Sequence, residues 1–246
     1  PLQDAASARW WMSLDDPVLN ALVDEGLAQN LSIESALARI DAARANSERF
    51  GLASQISGDA TLSASVSETD GVRDEGASAR IGAAFVFDIF GETARRQEQA
   101  GAQFEAAAFD VGTARLAFLS ELVSSYIQLR YFQAAQGVTR QTISSRETAL
   151  RLARERLDVG SSTKLDVARA SSVAAAARAS LPPLEADERI AAFRIATLIN
   201  QPAHGVLARL AKMQKIPRPT VGAAVGLPAA LLRNRPDIRA AARRLA

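Results

Sequence analysis

One short stretch decides the fold of this 246-residue chain: Arg156-Leu157-Asp158-Val159-Gly160-Ser161-Ser162-Thr163-Lys164-Leu165-Asp166. Residues 92–158 lead into it without a proline and are rich in Ala, Leu, Arg, Glu and Gln, which lose little side-chain freedom in a helix. Gly160 can take the positive φ of a residue just past a helix end, and the hydroxyl residues at 161–163 can cap a returning helix. The stretch therefore predicts the tip of a long antiparallel helical hairpin.

The predicted helix lengths indicate how the helices pack. Residues 92–158 would form a helix roughly 100 Å long at ~1.5 Å per residue. The return helix over residues 163–200 is expected to break at Pro182-Pro183, because a proline ring cannot join the hydrogen-bond ladder. Together with an earlier amphipathic segment at 32–56, the return helix has nearly as many residues as the long helix. The two shorter helices are therefore predicted to lie end to end along it.

The long helix carries the spacing of a coiled-coil seam. Apolar residues recur at three- and four-residue steps over 116–126, and at seven-residue steps over 143–157. Arg130, Gln133 and Gly137 interrupt this seam. A glycine weakens a helix, so close packing of a neighbouring helix is the expected reason for its presence.

Strand-like alternation replaces the helical period after Gly58. Apolar and polar or small residues alternate over 61–67 and again over 80–87, which predicts two β-strands, and the polar, glycine-bearing residues 69–79 are interpreted as a loop. One face of the two strands is apolar, with Leu62, Ala64, Val66, Ile81, Ala83, Phe85 and Phe87. Alternation alone favours a ribbon lying on the helices, because one hairpin cannot close a barrel. One hairpin of a transmembrane β-barrel is the alternative.

Composition narrows the possible functions. The net charge is only +2 and the two signs are interspersed, which argues against a nucleic-acid surface. The chain has no cysteine, so thiolate metal sites and cysteine nucleophiles are excluded. His204 is the only histidine and is interpreted as a surface-turn residue, and Gly222-x-x-x-Gly226 lacks the lysine that follows in a phosphate loop. We predict neither an enzyme nor a site for a cofactor or metal.

The end of the chain repeats the pattern of its beginning. Asp16 is predicted to cap a helix that starts at Pro17, and Ser32 is predicted to cap a second helix. Residues 237–245 align with 32–40, so that the first residue of each segment takes the N-cap position. A period of about 200 residues indicates a duplicated half rather than a solenoid unit. The chain is therefore predicted to hold one repeat and the start of another. Its start without an initiator Met is interpreted as a processed end.

Three motifs resemble those of the outer membrane factor family, the TolC-like efflux channels. Asp88-Ile89-Phe90-Gly91 followed by Arg95-Arg96 is similar to the family's D-[LIV]-[WF]-G…RR segment, and Arg156-x-x-x-Gly160-x-x-x-x-Leu165-Asp166 resembles its hairpin tip. The third motif, Gly226-Leu227-Pro228-x-x-Leu231-Leu232-x-Asn234-Arg235-Pro236-Asp237-Ile238, is similar to the family signature GLPS-x-LL-x-RRPDI and is the most specific. The motif residues are Asp88, Gly91, Arg156, Gly226, Leu227, Pro228, Arg235, Pro236 and Asp237. The likeness is closest to the NodT-type lipoprotein subgroup that serves resistance-nodulation-division pumps.

The resemblance implies a mainly α fold: a long antiparallel coiled-coil hairpin with one β-hairpin, half of a TolC-like protomer. Its strands would belong to a transmembrane β-barrel in the full-length trimer, with the apolar face toward lipid and 69–79 as an extracellular loop. Four regions follow: 1–57, the lead-in and helices of the periplasmic and equatorial region; 58–91, the barrel hairpin; 92–200, the periplasmic helical hairpin; and 201–246, an equatorial segment with the start of the truncated second repeat.

The function implied is that of the outer-membrane channel in a tripartite efflux or export system of a Gram-negative bacterium. Such a channel is a passive duct for drugs or other small molecules from the periplasm to the exterior, and a homotrimer when full length. Its partners would be a periplasmic membrane-fusion adaptor, an inner-membrane resistance-nodulation-division pump and outer-membrane lipid, without nucleic acid. The adaptor would contact the tip residues Asp158, Val159, Gly160, Ser161 and Ser162.

The sequence departs from the family pattern in two respects. It has no lipid-bearing N-terminal cysteine, and it lacks the second repeat, in which most of the family's gating acidic residues lie. A second function therefore stays open: a soluble coiled-coil interaction or scaffold protein without transport activity. The two functions differ in what covers the apolar face of the strands. Lipid would cover it in a channel, and the protein's own helices would cover it in a soluble scaffold.

Overall fold

The computed structural model describes residues 9–52, 56–85, 90–219 and 234–245. The described elements are a short 3₁₀ helix at Trp10–Leu14, α1 (Pro17–Gln29), α2 (Leu31–Leu52), β1 (Ile56–Thr69), β2 (Val72–Phe85), α3 (Glu92–Asp158), α4 (Lys164–Ala179), α5 (Leu181–Leu198), α6 (Ala203–Leu210) and α7 (Pro236–Leu245). The predicted fold class, mainly helical with one β-hairpin, is confirmed. Within these ranges, no helix combines the length and the apolar character needed to cross a bilayer.

The described elements divide into two compact units. The first contains α1, the part of α3 from Thr113 onward, α4, α5 and α6. The second contains α2 from Ser35, both strands, α3 up to Gly112, and α7.

The core of the first unit lies where α1, α3, α5 and α6 meet. Its buried side chains are mostly aliphatic, and burying a leucine, isoleucine, valine or phenylalanine removes enough apolar surface from water to stabilise the fold by ~1.5–3 kcal/mol. They include Leu19, Leu22, Val23, Phe118, Leu119, Leu122, Val123, Tyr126, Leu129, Ala191, Ala192, Ile195, Ile199, Val206 and Leu210. The seam residues Leu119, Val123 and Tyr126 of the long helix are therefore part of this core.

Side chains at both ends of α1 fix its position. Asp16 Oδ1 accepts the N–H groups of Val18 at 2.9 Å and Leu19 at 3.1 Å, which confirms the predicted cap. At the other end Asn30, rather than the predicted Ser32, caps α2: its Oδ1 accepts the N–H groups of Ser32 and Ile33. The Ser32 prediction is wrong because α2 starts at Leu31. An amide side chain also carries a donor, and Asn30 Nδ2 donates to the Leu198 carbonyl at 2.7 Å.

Gly26 lets α1 approach its neighbours closely. A Cβ atom built on Gly26 would lie 2.3 Å from Phe118 Cζ and 3.1 Å from Ile199 Cγ2. We expect Gly26→Ala to lower the free energy of unfolding by ~1–3 kcal/mol, because the ring must leave its packed position. Urea unfolding followed by circular dichroism measures the change.

The matched control for this substitution is Gly101→Ala in α3. Apart from its chain neighbours and the backbone of its own helix, no atom of the described residues lies within 4 Å of a Cβ built there. Alanine is the better helix former by ~1 kcal/mol, so this variant is expected to be neutral or more stable than the parent. Equal destabilisation by both variants would show that close packing at Gly26 is not the cause.

The helical hairpin agrees with its prediction. α3 spans Glu92–Asp158, and the return helix is broken, with α4 ending at Ala179 and α5 beginning at Leu181. Pro182 and Pro183 lie in the first turn of α5, where a missing N–H costs little because first-turn N–H groups have no partner within their own helix. The break therefore interrupts the return helix without ending the hairpin.

The β-hairpin is longer and more tightly turned than predicted. β1 and β2 pair antiparallel from Ile56–Phe85 to Thr69–Val72. Only Asp70 and Gly71 lie between the strands, with φ of 52° and 77°. Asp-Gly favours these left-handed positions in a two-residue hairpin turn. The predicted loop at 69–79 is therefore wrong, since residues 72–79 are paired strand. Residues 86 and 87 of the second predicted strand lie outside the described ranges.

In the second unit, α7 packs on the first part of α3. The Arg239 guanidinium lies over the Phe109 ring, 4.3 Å from its centroid, and Arg243 Nε lies 2.8 Å from Glu105 Oε2. Ala240 is buried in this contact. The small residue and the flanking arginines let α7 lie close against α3.

Candidate functional site

The tip of the helical hairpin is a fully capped turn. Gly160 has φ +75°, and its N–H donates to the Leu157 carbonyl at 2.9 Å. The N–H of Ser161 donates to the Arg156 carbonyl at 2.8 Å, and the Ser161 hydroxyl donates to the same oxygen at 3.1 Å. This pairing is the Schellman motif that ends many helices, and it confirms Gly160 as the residue just past the helix end.

The return helix starts with a reciprocal cap. Thr163 Oγ1 accepts the Asp166 N–H at 3.2 Å, while Asp166 Oδ2 accepts the Thr163 N–H at 3.0 Å and the Thr163 hydroxyl at 2.6 Å. Sequence reasoning predicted Thr163 as a cap but missed the role of Asp166. The spacing T-x-x-D, a threonine followed by an acid three residues later, is the signal that would have found it.

Hydrogen bonds from Thr163, first from its side chain and then from its backbone, lower the pKa of Asp166. A carboxylate whose folded pKa is depressed stabilises the cap at pH values above the unfolded pKa, and this contribution is lost as pH falls through the folded pKa. We expect Thr163→Val to raise the pKa of Asp166 toward the ordinary value. An NMR titration of the side-chain carboxyl carbon measures it. Ser162→Ala should change it less, and an unchanged titration in Thr163→Val would contradict this assignment.

The predicted adaptor-contacting residues all lie in this turn. Asp158 ends α3, Gly160 is the residue in the left-handed region, and Val159 is 78% exposed. Ser161 is exposed and Ser162 is half-buried. The turn therefore presents a short backbone segment and one apolar side chain to solvent. Contact of these residues with an adaptor stays a prediction.

The β-hairpin has one apolar and one polar face. Register places Leu62 opposite Ala79, Ala64 opposite Ala77 and Ile81 opposite Ala60, all on one face. This face also holds Ala83 and Phe85, as predicted, and Phe87 lies outside the described residues. Val66 shares the face but stands opposite Glu75, so the apolar band ends near Ala64. The other face carries Ser57, Asp59, Thr61, Ser63, Ser78 and Arg80.

Large side chains on the apolar face of the β-hairpin are exposed in the part of the chain that the structure describes. Leu62 is 84% exposed, Ile81 89% and Phe85 51%. A soluble ribbon lying on the helices would have buried these side chains. Large apolar residues in a continuous exposed band mark a surface that contacts lipid or another protein.

The family-motif residues fall partly within the described ranges. Gly91 has φ +75° just before α3, and Pro236 is buried at the start of α7. The Arg235 guanidinium donates to the Asp237 carboxylate at 2.6 and 3.1 Å, which lowers the pKa of Asp237. At the tip, the carbonyl of Arg156 is the acceptor described above. Asp88, Gly226, Leu227 and Pro228 lie outside the described residues.

A buried polar cluster, defined here as Tyr126, Arg130, Gln133 and Gln136, lies on α3. The guanidinium of Arg130 is fully buried and donates to Gln133 Oε1 at 2.7 Å, the Lys212 carbonyl at 2.9 Å and the Tyr126 hydroxyl oxygen at 3.0 Å. This cluster occupies the interruption of the predicted seam. Polar residues at seam positions were the signal for this cluster, but the backbone carbonyls that accept from Arg130, those of Leu210 and Lys212, lie about 80 residues away in the chain.

Tyr126 connects the buried polar cluster to the start of α1. Its hydroxyl donates to Asp16 Oδ2 at 2.7 Å, so Asp16 both caps α1 and binds α3. Burial, and then this hydrogen bond, raise the pKa of Tyr126, which keeps the phenol protonated. The arrangement is structural, and the described residues contain no group of three His, Cys, Asp or Glu side chains placed to hold a metal.

Comparison with known proteins decides the family. The sequence model described as outer membrane efflux protein matches residues 22–201 of this chain. The chain belongs to the outer membrane efflux protein family. The resemblance found in the motifs is thereby confirmed.

Relatives of known name extend this result. Nodulation protein T of Rhizobium leguminosarum bv. trifolii is 35% identical over 251 residues, which cover 99% of this chain and 53% of the relative. The pyoverdine export outer membrane protein OpmQ of Pseudomonas aeruginosa is 32% identical, with 99% of this chain and 54% of OpmQ covered. The chain spans about half the length of the curated relatives it matches.

Solved structures show the same fold. The outer-membrane channel OprN superposes with a TM-score of 0.83 at 34% identity, covering 96% of this chain and 54% of OprN. VceC of Vibrio cholerae, an outer membrane protein, superposes with a TM-score of 0.75 at 24% identity and supports the fold alone. Membership of the outer membrane efflux protein family gives the chain an outer-membrane location, and its efflux relatives are channel proteins rather than enzymes.

Proposed function

We propose that this chain forms half of the protomer of an outer-membrane export channel, a passive duct through which small molecules leave the periplasm. The two-faced β-hairpin is the observation that carries the proposal. Its exposed band with Leu62, Ile81 and Phe85 suits contact with lipid, and its opposite face of serine, threonine and charged side chains suits contact with water. Alternation of this kind is the pattern of a transmembrane barrel strand.

The length of the apolar band fits a bilayer. The band runs from the Ile56–Phe85 pair to the Ala64–Ala77 pair, nine residues along each strand. A tilted transmembrane strand needs ~9–11 residues. The paired residues beyond the band, up to the Asp70-Gly71 turn, carry charges such as Glu68 and Arg73 and would lie outside the membrane. The extracellular end is therefore a paired ribbon rather than a long loop.

A single β-hairpin leaves both of its edges unpaired, which a bilayer does not tolerate. Closure therefore needs further strands from the rest of the full-length protein and from other copies. We place two of four strands per protomer in this chain, within a twelve-stranded barrel shared by a homotrimer. The helical hairpin would form part of the wall of the periplasmic tunnel.

Export needs a route from the inner membrane to this tunnel. The chain would serve a resistance-nodulation-division pump and its periplasmic adaptor, with the turn at 158–162 as the docking end. Opening would be a two-state rearrangement of the helices rather than chemistry. Selection among drugs or other small molecules would lie with the pump, and the channel itself would be a passive duct.

Substitution of the tip tests this function in the full-length protein. Gly160→Pro cannot adopt φ +75° and loses the N–H that donates to Leu157, so the turn must change shape. We expect trimers at normal abundance in the outer membrane, with drug susceptibility raised to the level of a deletion strain. Ser161→Ala, which keeps the backbone turn, is the control and should export normally. Unchanged susceptibility in Gly160→Pro would contradict docking at the tip.

A further inference from the structure

The return helix of the hairpin is weakened at one level. α4 ends at Ala179, and Ser180 separates it from α5. Pro182 and Pro183 have no N–H, so the carbonyls of Arg178 and Ala179 lack the donors that a continuous helix would supply. Sharp bends in helices occur mostly at such prolines. This level is therefore the place where the return helix bends most easily.

The long helix α3 carries a second weakness, over residues 142–148. The hydroxyls of Thr142, Ser145 and Thr148 donate to the carbonyls of the residues four positions earlier, at 3.0, 3.1 and 3.0 Å. Such back-bonds compete with the helical ladder and often bend helices. All three hydroxyl residues lie on one exposed face of α3, at three-residue steps.

Two ion pairs fix the alignment of these weak segments. Arg140 lies 3.2 Å from Glu185 on one side, and Glu147 lies 2.7 Å from Arg178 on the other. Because the helices run antiparallel, residues 142–145 of α3 must lie opposite 180–183. Both helices of the hairpin are therefore weakened at the same level.

Packing differs sharply on the two sides of this level. Toward the core, Glu188 accepts from Gln133 Nε2 at 2.8 Å and from Gln136 Nε2 at 2.7 Å, and Gln136 also donates to the Leu184 carbonyl. This clamp joins α3 to α5 beside the apolar core. Toward the tip, residues 149–179 bury only Leu150 and Ala174.

We infer that residues 142–148 and 180–183 form a hinge across the helical hairpin. The part nearer the tip, 149–179, moves as an arm, and the clamp of Gln133, Gln136 and Glu188 keeps the other side fixed. One consequence of the hinge rests on the proposed function. In the proposed channel, the tip would open by bending at the hinge rather than by unwinding at Gly160.

Spin labels on this chain test the hinge without any channel activity. The chain has no native cysteine, so labels can be placed singly. Tyr131→Cys with Arg154→Cys spans the hinge, and Arg115→Cys with Val138→Cys does not. Each pair joins exposed positions of α3 that are 23 residues apart, about 35 Å in a straight helix. Double electron–electron resonance gives the distance distribution, and the spanning pair is expected to be at least about twice as broad.

A stiffened variant distinguishes bending at the hinge from fraying of the arm. It replaces the weak positions by a strong helix former, through Pro182→Ala, Pro183→Ala, Thr142→Ala, Ser145→Ala and Thr148→Ala. In this variant, the distance distribution of the label pair that spans the hinge is expected to narrow to the width measured for the control pair. Equal widths in the parent chain would overturn the inference, and so would a broad distribution that the stiffened variant leaves unchanged. Whether the Gly160→Pro variant loses export is a separate result. It tests the proposed function and leaves the hinge inference unaffected.

Discussion

Arg130→Met is expected to lower the free energy of unfolding of this chain by ~1–3 kcal/mol for each buried acceptor that loses its donor. The guanidinium is fully buried and donates hydrogen bonds to the Gln133 side chain, the Lys212 carbonyl and the Tyr126 hydroxyl oxygen. Methionine fills similar space without any donor. The buried Gln133 Oε1 and the Tyr126 hydroxyl oxygen would then lose the donor that Arg130 supplies.

Urea unfolding of the Arg130→Met variant measures the loss, and Arg140→Met is the matched control on the same helix. Arg140 also contacts a glutamine and a glutamate, at 2.8 Å for Gln136 and 3.2 Å for Glu185, but its side chain is half-exposed. A pair so open to solvent contributes ~1 kcal/mol or less. Equal losses in the two variants would show that burial of Arg130 does not set its contribution.

The second large effect is expected at the apolar face of the β-hairpin. In the full-length protein, Leu62→Arg would put a guanidinium against lipid in each of three copies, at ~2–4 kcal/mol per copy near the bilayer midplane. Trimers resistant to mild detergent should disappear from the outer-membrane fraction. Semi-native electrophoresis of that fraction measures their abundance.

Ser63→Arg is the matched control, one residue further along β1 and on the opposite face. Its only described side-chain bond joins it to Ser78 across the strands at 2.7 Å, on an exposed surface. An arginine facing a water-filled pore keeps its hydration, so trimers should assemble normally. The assignment of faces would be wrong if Ser63→Arg blocked assembly while Leu62→Arg did not.

Local signals were sufficient to predict the helical hairpin. A proline-free run predicts α3 from Glu92 to Asp158, Gly160 predicts its end, and Pro182-Pro183 predicts the break in the return helix. Each of these depends on residues adjacent in the chain. Interactions within one or two helical turns determine them, so sequence patterns report them directly.

Features that depend on distant partners were predicted poorly. Residues 72–79 looked like a loop because polar residues occur on both faces, yet pairing with β1 makes them strand. The Asp70-Gly71 turn was a local signal that was overlooked. The role of Arg130 depends on carbonyls about 80 residues away, which no local pattern reveals. Asn30, rather than Ser32, is the cap. Its amide also donates to the Leu198 carbonyl, a contact that exists only in the packed fold and leaves no local signal in the sequence.

We propose that the full-length protein is a trimeric channel inserted in the outer membrane. Its mass by light scattering, measured after chromatography with and without detergent, tests that claim most directly. We expect a trimer that stays in solution only while detergent covers the band with Leu62, Ile81 and Phe85. A full-length protein that remains a soluble monomer without detergent would contradict it.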